Sequence, residues 1–186
     1  GCESAPATGI LTVNALPTLI ASVNDSNICL GENVTLNQSG ALTYNWEDDA
    51  GNDLGPPAVS VNPLVSTTYT VTGTDANGCI GTDDVRVNVN ALPTLIASVN
   101  DSNICLGENV TLNQSGALTY NWEDDAGNDL GPPAVSVNPL VTTTYSLTGT
   151  DANGCIGTDD VTVNVNALPT AVISDSTNPN CPLDSN

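Results

Sequence analysis

Residues 67–89 read TTYTVTGTDANGCIGTDDVRVNV, and this stretch decides the fold class. Apolar and polar residues alternate near both of its ends, which is the pattern of a half-buried β-strand. Between the two alternating segments, Asp75-Ala76-Asn77-Gly78 is a hairpin signal, because Asn and Gly tolerate positive φ. The stretch therefore predicts two strands joined by a tight turn. The side chains expected to face the core are Tyr69, Val71, Val85, Val87 and Val89.

Further strand patterns precede this stretch. They are rich in Val, Thr, Ile and Tyr, with Gly, Asn, Asp and Pro between them, and none has a helical apolar period. Trp46 lies on the third of these strands. Six or seven short strands with one such Trp, in a unit of fewer than about 80 residues, predict an immunoglobulin-like β-sandwich without helices. The additional strands are expected at Leu19 to Val23, at Val34 and Leu36, at Thr43 to Trp46, and at Val59 and Val61.

The whole pattern occurs twice. Residues 90–165 repeat residues 14–89 with four changes, namely Ser66 to Thr142, Thr70 to Ser146, Val71 to Leu147 and Arg86 to Thr162. Residues 1–13 resemble the tail of a preceding repeat, and residues 166–186 restart the unit. Self-similarity at a fixed period is typical of repeat arrays. We therefore predict two complete immunoglobulin-like repeats within a longer tandem array.

The charge of the chain restricts its partners. The formal net charge is −20, and the one basic residue is Arg86. Nucleic-acid binding needs clustered Lys and Arg to displace counterions from phosphates, so we expect no nucleic-acid partner. An anionic membrane surface would repel the chain, and no apolar run approaches the roughly 18 residues of a membrane span. We expect no membrane insertion in this segment.

Catalysis is also not expected. The chain has no His for a catalytic triad, no Lys, and no isolated Cys beside a base. Adjacent carboxylates occur at Asp48-Asp49 and Asp83-Asp84, but neighbouring residues on turns do not converge across a cleft. We predict that the protein is not an enzyme.

Four strings carry a resemblance to a known group. They are ICLGENVTL at 28–36, YNW at 44–46, VNPLVSTTYTVTGTDANGC at 61–79 and VRVNV at 85–89. They resemble the Ig-like and PKD-like tandem repeats of large bacterial cell-surface adhesins and extracellular filaments, of the Bacteroidota type. The resemblance implies export to the cell surface, a stalk, adhesin or filament role, and no catalysis. It does not imply a particular ligand.

Six cysteines recur at fixed positions of the repeat, namely Cys2, Cys29, Cys79, Cys105, Cys155 and Cys181. Without His or a C-x-x-C pair, disulfides in an oxidising compartment are favoured over zinc. An immunoglobulin-like topology would place Cys29 and Cys79 at opposite ends of one domain, on the order of 20 Å apart, whereas a disulfide needs Cα atoms within about 7 Å. We therefore favour a bond between repeats, from Cys29 to Cys155, with Cys2 and Cys181 paired outside this sequence. The alternative stays open and pairs within repeats, Cys29 with Cys79 and Cys105 with Cys155.

An acidic loop in each repeat offers a candidate metal site. Calcium takes six to eight oxygen ligands, and one loop per repeat is rich in them. The alternative is a solvated turn whose Asp and Asn side chains bond their own backbone. The predicted calcium ligands are Glu47, Asp48, Asp49, Asn52 and Asp53, and then Glu123, Asp124, Asp125, Asn128 and Asp129.

Two functions remain after these exclusions. In the first, the repeats form a structural or adhesive array that gives an extracellular stalk, adhesin or filament its length, stiffness and cohesion. The short, Pro-containing segment 89–94 between repeats favours this, because such a linker is semi-rigid. In the second, the repeats are multivalent binding modules that recognise glycan or a partner protein. The expected partners are neighbouring repeats or chains of the same protein, and a glycan or surface ligand under the second function.

Overall fold

The structure is a computed structural model that describes residue 9 and residues 12–56, 59–132 and 135–171. Every regular element in these residues is a β-strand. The described part of the chain therefore contains no helix long and apolar enough to cross a membrane. The predicted all-β fold class is confirmed.

Eight strands form the first repeat, in two sheets. One sheet has the order β1-β3-β6 and the other the order β2-β8-β7-β4-β5. Side chains from both sheets meet in one apolar core, which makes the repeat a β-sandwich. The strands are β1 (Ile20–Val23), β2 (Asn27–Cys29), β3 (Val34–Ser39), β4 (Thr43–Asp48), β5 (Asp53–Gly55), β6 (Ser60–Val61), β7 (Thr67–Thr74) and β8 (Ile80–Asn90).

The second repeat has the same eight strands in the same two sheets. The smaller sheet has the order β14-β11-β9, and the larger has the order β10-β16-β15-β12-β13. The strands are β9 (Ile96–Val99), β10 (Asn103–Cys105), β11 (Val110–Ser115), β12 (Thr119–Asp124), β13 (Asp129–Gly131), β14 (Ser136–Val137), β15 (Thr143–Thr150) and β16 (Ile156–Asn166).

Strands β2 and β5 were not expected from the sequence. Each has three residues, which is too short for an alternating pattern to be recognised. Strand β5 pairs with β4 across a register shift between Trp46 and Glu47. Strand β2 pairs with β8 in parallel. Cys29 is the last residue of β2.

The strand order identifies the sandwich as immunoglobulin-like. The chain changes sheet between β1, which pairs antiparallel with β3, and β2, which pairs with β8. Strands β4, β7 and β8 take the places of strands C, F and G of an immunoglobulin domain, and β1, β3 and β6 take those of A, B and E. The predicted immunoglobulin-like sandwich is confirmed by this arrangement.

The core is built around Trp46, which is fully buried with Leu36 of β3 and Val71 of β7. In antibody domains, a disulfide joins the strands that correspond to β3 and β7 and packs against the Trp. The second cysteine of that disulfide follows a conserved Tyr by two residues. Here Val71 has that position after Tyr69, and the buried cluster of the first repeat is formed without cysteine. Burying each such apolar side chain stabilises the fold by about 1.5–3 kcal/mol. The cysteines of the first repeat therefore lie outside its core.

The predicted core face of residues 67–89 is also confirmed. Tyr69, Val71 and Val87 are buried, and Val85 and Val89 are partly buried against the same cluster. The turn between them forms as expected: the Gly78 amide donates to the Asp75 carbonyl at 3.2 Å, and Gly78 has a φ of 81°.

The chain forms two compact units. Among the described residues, one unit comprises those up to residue 94 together with residues 150–157, and the other comprises the remaining ones from residue 95 onward. The turn that contains Cys155 therefore belongs to the first unit. The repeat boundaries predicted at 14–89 and 90–165 stay predictions, and Cys2 and Cys181 lie outside the described residues.

Candidate functional site

Each repeat presents two cysteine-bearing turns, and the first follows the short parallel strand. In the first repeat, the Cys29 amide donates to Glu32 Oε2 at 2.8 Å, and the Glu32 amide donates back to the Cys29 carbonyl at 3.0 Å. The Leu30 amide donates to the Asn90 carbonyl at 2.8 Å, which ties the turn to the end of β8. Because both sides of the turn are hydrogen-bonded, the position of Cys29 is set by the fold. We call residues 29–32 and 105–108 the strand-end turns.

The strand-end turn of the second repeat has the same hydrogen bonds. The Cys105 amide donates to Glu108 Oε2 at 2.7 Å, and the Glu108 amide donates to the Cys105 carbonyl at 3.1 Å. The Leu106 amide donates to the Asn166 carbonyl at 2.9 Å.

The second cysteine of each repeat closes the hairpin turn between its two longest strands. In residues 75–79, Asp75 Oδ1 accepts from the amides of Asn77 at 2.8 Å and Cys79 at 2.9 Å. The Asp75 amide donates to the Cys79 carbonyl at 3.0 Å, so the backbone of the cysteine is held from both sides. We call residues 75–79 and 151–155 the hairpin turns.

The hairpin turn of the second repeat repeats this geometry. Asp151 Oδ1 accepts from Asn153 at 2.8 Å and from Cys155 at 2.9 Å. The hydrogen bond from the Cys155 amide is the main reason that the pKa of Asp151 is lowered, with further bonds from Asn153 and Gly154.

A disulfide joins a strand-end turn to a hairpin turn. Cys29 is bonded to Cys155, with 5.5 Å between their Cα atoms and 126 residues between them in sequence. Cys155 is fully buried and Cys29 is half-buried. The bond lies within the first compact unit, because residues 150–157 belong to it. Cys79 and Cys105 have no disulfide partner among the described residues.

The register of β2 excludes the pairing of Cys29 with Cys79. Cys29 lies opposite Asn90, at the end of β8. Cys79 directly precedes Ile80, at the start of the same 11-residue strand. At about 3.3 Å per residue the two cysteines are separated by roughly 35 Å, against the 7 Å or so that a disulfide bridges. Their separation is thus set by the length of one strand.

The acidic loop of the first repeat is held by its own hydrogen bonds. Asp48 Oδ1 accepts from the Ala50 amide at 3.0 Å and the Asn52 amide at 2.9 Å, and Asp48 Oδ2 accepts from Asn52 Nδ2 at 2.8 Å. The Asn52 side chain is the largest cause of a lowered pKa of Asp48, followed by the Asn52 amide. Asp53 Oδ1 accepts from the Gly55 amide at 2.9 Å, and Asp49 Oδ2 from Thr68 at 3.3 Å. Glu47 is exposed.

The acidic loop of the second repeat is built in the same way. Asp124 accepts from Ala126 and twice from Asn128, and the Asn128 side chain is the largest cause of its lowered pKa. Asp129 Oδ1 accepts from Gly131 at 2.8 Å. The remaining predicted ligands, Glu123 and Asp125, are exposed.

The predicted calcium ligands are already hydrogen-bonded within their own loops or exposed. Within the described ranges no three His, Cys, Asp or Glu side chains are grouped so that they could hold a metal ion. The carboxylate oxygens of Asp48 and Asp124 already accept hydrogen bonds from their own turns, which is the geometry of the solvated-turn alternative. The calcium ligands therefore stay a prediction that the loop geometry does not favour.

A cleft beside the acidic loop was not expected from the sequence. Its volume is about 420 Å³, and its walls include Asp48, Asp49, Leu64, Val65 and Tyr69. Leu64 is 71% exposed and Val65 is 70% exposed. Burial, and then the charges of Asp48 and Asp49, raise the pKa of Tyr69. The signal in the sequence is an apolar Leu-Val pair within a polar turn, which recurs as Leu140-Val141.

Known proteins similar to this chain do not assign it to a family. No protein-family model matches it. It is 31% identical over 148 residues to an uncharacterised protein of Ruminiclostridium cellulolyticum, covering 72% of this chain and 40% of that protein. The chain thus spans well under half the length of the curated relative that it matches.

The solved structures to which the chain is similar include two bacterial adhesins and a cell adhesion molecule. A 1.5-MDa bacterial ice-binding adhesin has a TM-score of 0.42 at 15% identity, over 83% of this chain and 67% of that one. A Ca²⁺-stabilised adhesin with which an Antarctic bacterium binds ice has a TM-score of 0.43 at 15% identity, over 84% and 51%. The eight N-terminal Ig domains of Down syndrome cell adhesion molecule have a TM-score of 0.42 at 14% identity, over 82% and 25%. The strand order and register of the two sheets identify the fold.

Proposed function

We propose that this chain is part of an extracellular structural and adhesive array. In this array, the strand-end turn of each repeat is bonded to the hairpin turn of the next repeat. The array supplies length, stiffness and cohesion to a cell-surface stalk, adhesin or filament, and it catalyses no reaction. The observation that carries the proposal is the bond between Cys29 and Cys155, which belong to successive copies of one repeated sequence.

Near-identity of the repeats supports a structural role. Residues 14–89 and 90–165 differ at four positions, and their hydrogen bonds around both cysteine turns agree within 0.1 Å. Modules that each stack on a neighbour need the same contacts at every junction, so such a fold favours uniform repeats.

The disulfide supports an extracellular location. Disulfides form and persist in oxidising compartments and are rare in the reducing cytosol. A domain of this size also buries a small core and gains from a covalent link.

Mechanical extension of single molecules tests the proposal. A chain pulled from its two ends cannot lengthen between Cys29 and Cys155 while the bond is intact. The intact bond keeps the 126 residues of sequence between the two cysteines from being extended. At about 3.4 Å per extended residue, reduction should add roughly 430 Å to the unfolded length.

The matched control is the Cys155→Ser chain, which should reach the full length without reductant. A Cys79→Ser chain should behave as the unsubstituted protein does. Equal extension of the oxidised and reduced chains would contradict the proposed role in bearing tension.

The cleft favours the second function, multivalent binding. Leu64 and Val65 are exposed beside it, and Leu140 and Val141 are exposed to the same degree in the second repeat. Replacing Leu64 and Leu140 with Ser should then abolish retention of the protein on a glycan array or on cells. Unchanged retention of the substituted protein would contradict binding through the cleft, and the structural role would then be the one function that stands.

A further inference from the structure

The two unbonded cysteines have bonded counterparts in the other repeat. Cys105 corresponds to Cys29, and Cys79 corresponds to Cys155, each at a spacing of one repeat. The bonded cysteines therefore show what each unbonded turn can bind. Cys105 begins a strand-end turn, and the bonded turn of that kind is joined to a hairpin turn. Cys79 closes a hairpin turn, and the bonded turn of that kind is joined to a strand-end turn.

Both unbonded turns already have the conformation of the bonded ones. The amide of Cys105 donates to Glu108 Oε2 at 2.7 Å, against 2.8 Å for Cys29 and Glu32. The amide of Cys79 donates to Asp75 Oδ1 at 2.9 Å, the same distance as for Cys155 and Asp151. Turns that need no rearrangement bind at a lower entropic cost.

Both unbonded cysteines are also more accessible than their bonded counterparts. Cys105 is exposed where Cys29 is half-buried, and Cys79 is half-buried where Cys155 is fully buried. The sequences of the turns are the same, so the difference comes from what covers them. Cys79 and Cys105 thus have accessible thiols, in turns that already have the conformation of the bonded turns.

We propose that Cys105 of one chain forms a disulfide with Cys79 of a second copy of this chain. The bond joins copies head to tail and repeats the pairing of Cys29 with Cys155. The inference rests on the proposed function, since it applies the same junction between separate chains. Where a chain carries further repeats, the hairpin turn of the following repeat offers the same partner.

The bond needs an external oxidant of the disulfide class. The Cys105 thiolate attacks a small disulfide and releases one small thiol, giving a mixed disulfide on Cys105. The Cys79 thiolate of the second copy then attacks this sulfur and releases the second small thiol. Two protein thiols lose two electrons and two protons, and one small disulfide becomes two thiols.

Charge repulsion between copies makes the step salt-dependent. Each chain carries a formal net charge of −20. The Debye length falls from about 30 Å at 0.01 M salt to about 10 Å at 0.1 M, so salt screens this repulsion. Head-to-tail bonding should therefore accelerate as salt is added.

Oxidation of a chain with Cys2→Ser and Cys181→Ser tests the inference. This chain is incubated with oxidised and reduced glutathione, quenched with N-ethylmaleimide and run on a non-reducing gel. We expect a ladder of dimers, trimers and longer species that collapses to monomer with reductant. Adding either Cys79→Ser or Cys105→Ser should abolish the ladder, because each head-to-tail bond needs one cysteine of each kind.

Isotope mixing identifies the bond. Equal amounts of ¹⁴N and ¹⁵N chains are oxidised together, and we expect a Cys105 peptide of one label joined to a Cys79 peptide of the other. Dimers joined only by Cys105–Cys105 bonds, a ladder that alternates Cys105–Cys105 with Cys79–Cys79 bonds, or no bonded species at all, would overturn the inference. If Cys29–Cys155 is found in those samples, the proposed function stands while the inference fails; if it is missing, both fail.

Discussion

Cys29 lies opposite Asn90 in parallel register, at the end of β8 that is farther from Cys79. One strand of 11 residues thus keeps the two cysteines of a repeat apart. A cysteine at each end of a sandwich suits bonds to neighbours better than a bond within the domain.

The hydrogen bond between Trp46 and Gln38 should contribute measurably to stability. Trp46 is fully buried, and its Nε1 donates to Gln38 Oε1 at 3.1 Å. Gln38→Ala removes the acceptor and should lower the free energy of unfolding by about 1–3 kcal/mol, because a buried donor is left unpaired. Urea unfolding followed by fluorescence in a Trp122→Phe background measures this, since Trp46 is then the one Trp of the chain. Gln38→Glu keeps an acceptor and should cost less; equal losses would contradict the assignment.

Gly81 should tolerate no side chain. A Cβ at this position would lie 2.6 Å from the Pro17 carbonyl oxygen. Gly81→Ala forces that backbone segment to move and should cost about 1–3 kcal/mol, as overpacking usually does. The control is Thr82→Ala on the same strand, where the side chain is exposed. Thermal unfolding of both variants should show a lower Tm for Gly81→Ala only; matching Tm values would show that Pro17 is not held there.

Acid should destabilise the protein through its turn carboxylates. The hydrogen bonds from Asn52 and Asn128 lower the pKa values of Asp48 and Asp124 in the folded state. A lowered pKa stabilises the fold above the unfolded-state value of about 3.9, and this stabilisation is lost as pH falls through the folded-state value. Urea unfolding from near-neutral pH to about pH 2 should show the loss. An Asp48→Asn, Asp124→Asn chain should lose less stability over that range, and an unchanged slope would contradict the assignment.

Calcium should act on this protein as a general salt. The loop carboxylates that were candidate ligands are bonded to their own turns. We expect Ca²⁺ and Mg²⁺ at equal ionic strength to raise Tm equally, by screening the charge of −20. Calorimetric titration should show no saturable calcium heat. A saturable, calcium-specific signal that Asp48→Asn abolishes would instead establish the predicted site.

Much of the fold could be predicted from local sequence patterns. The alternation around Tyr69 and Val87 is long enough to fix which residues face the core, and Asn77-Gly78 fixes the turn between their strands. Strand β2 could not be found in this way, because three residues carry no period. Its parallel register with β8 is a long-range property of the folded chain.

The role of the acidic loop could not be predicted from its composition. The oxygen-rich composition of residues 47–53 suits both a metal site and a hydrogen-bonded turn. Only the folded structure shows that the Asn52 side chain donates a hydrogen bond to Asp48. The cleft depends likewise on Leu64 and Val65 being exposed beside Tyr69, which no local pattern specifies.

Tryptic cleavage without reductant tests the bond between Cys29 and Cys155 most directly. The chain has one Lys or Arg residue, Arg86, so trypsin divides it once, between residues 86 and 87. Monomeric protein is blocked with N-ethylmaleimide, unfolded in urea, digested and analysed by mass. We expect residues 1–86 and 87–186 to stay joined until reductant is added, and to separate at once in the Cys155→Ser chain. Fragments that separate from the unsubstituted protein without reductant would contradict the account.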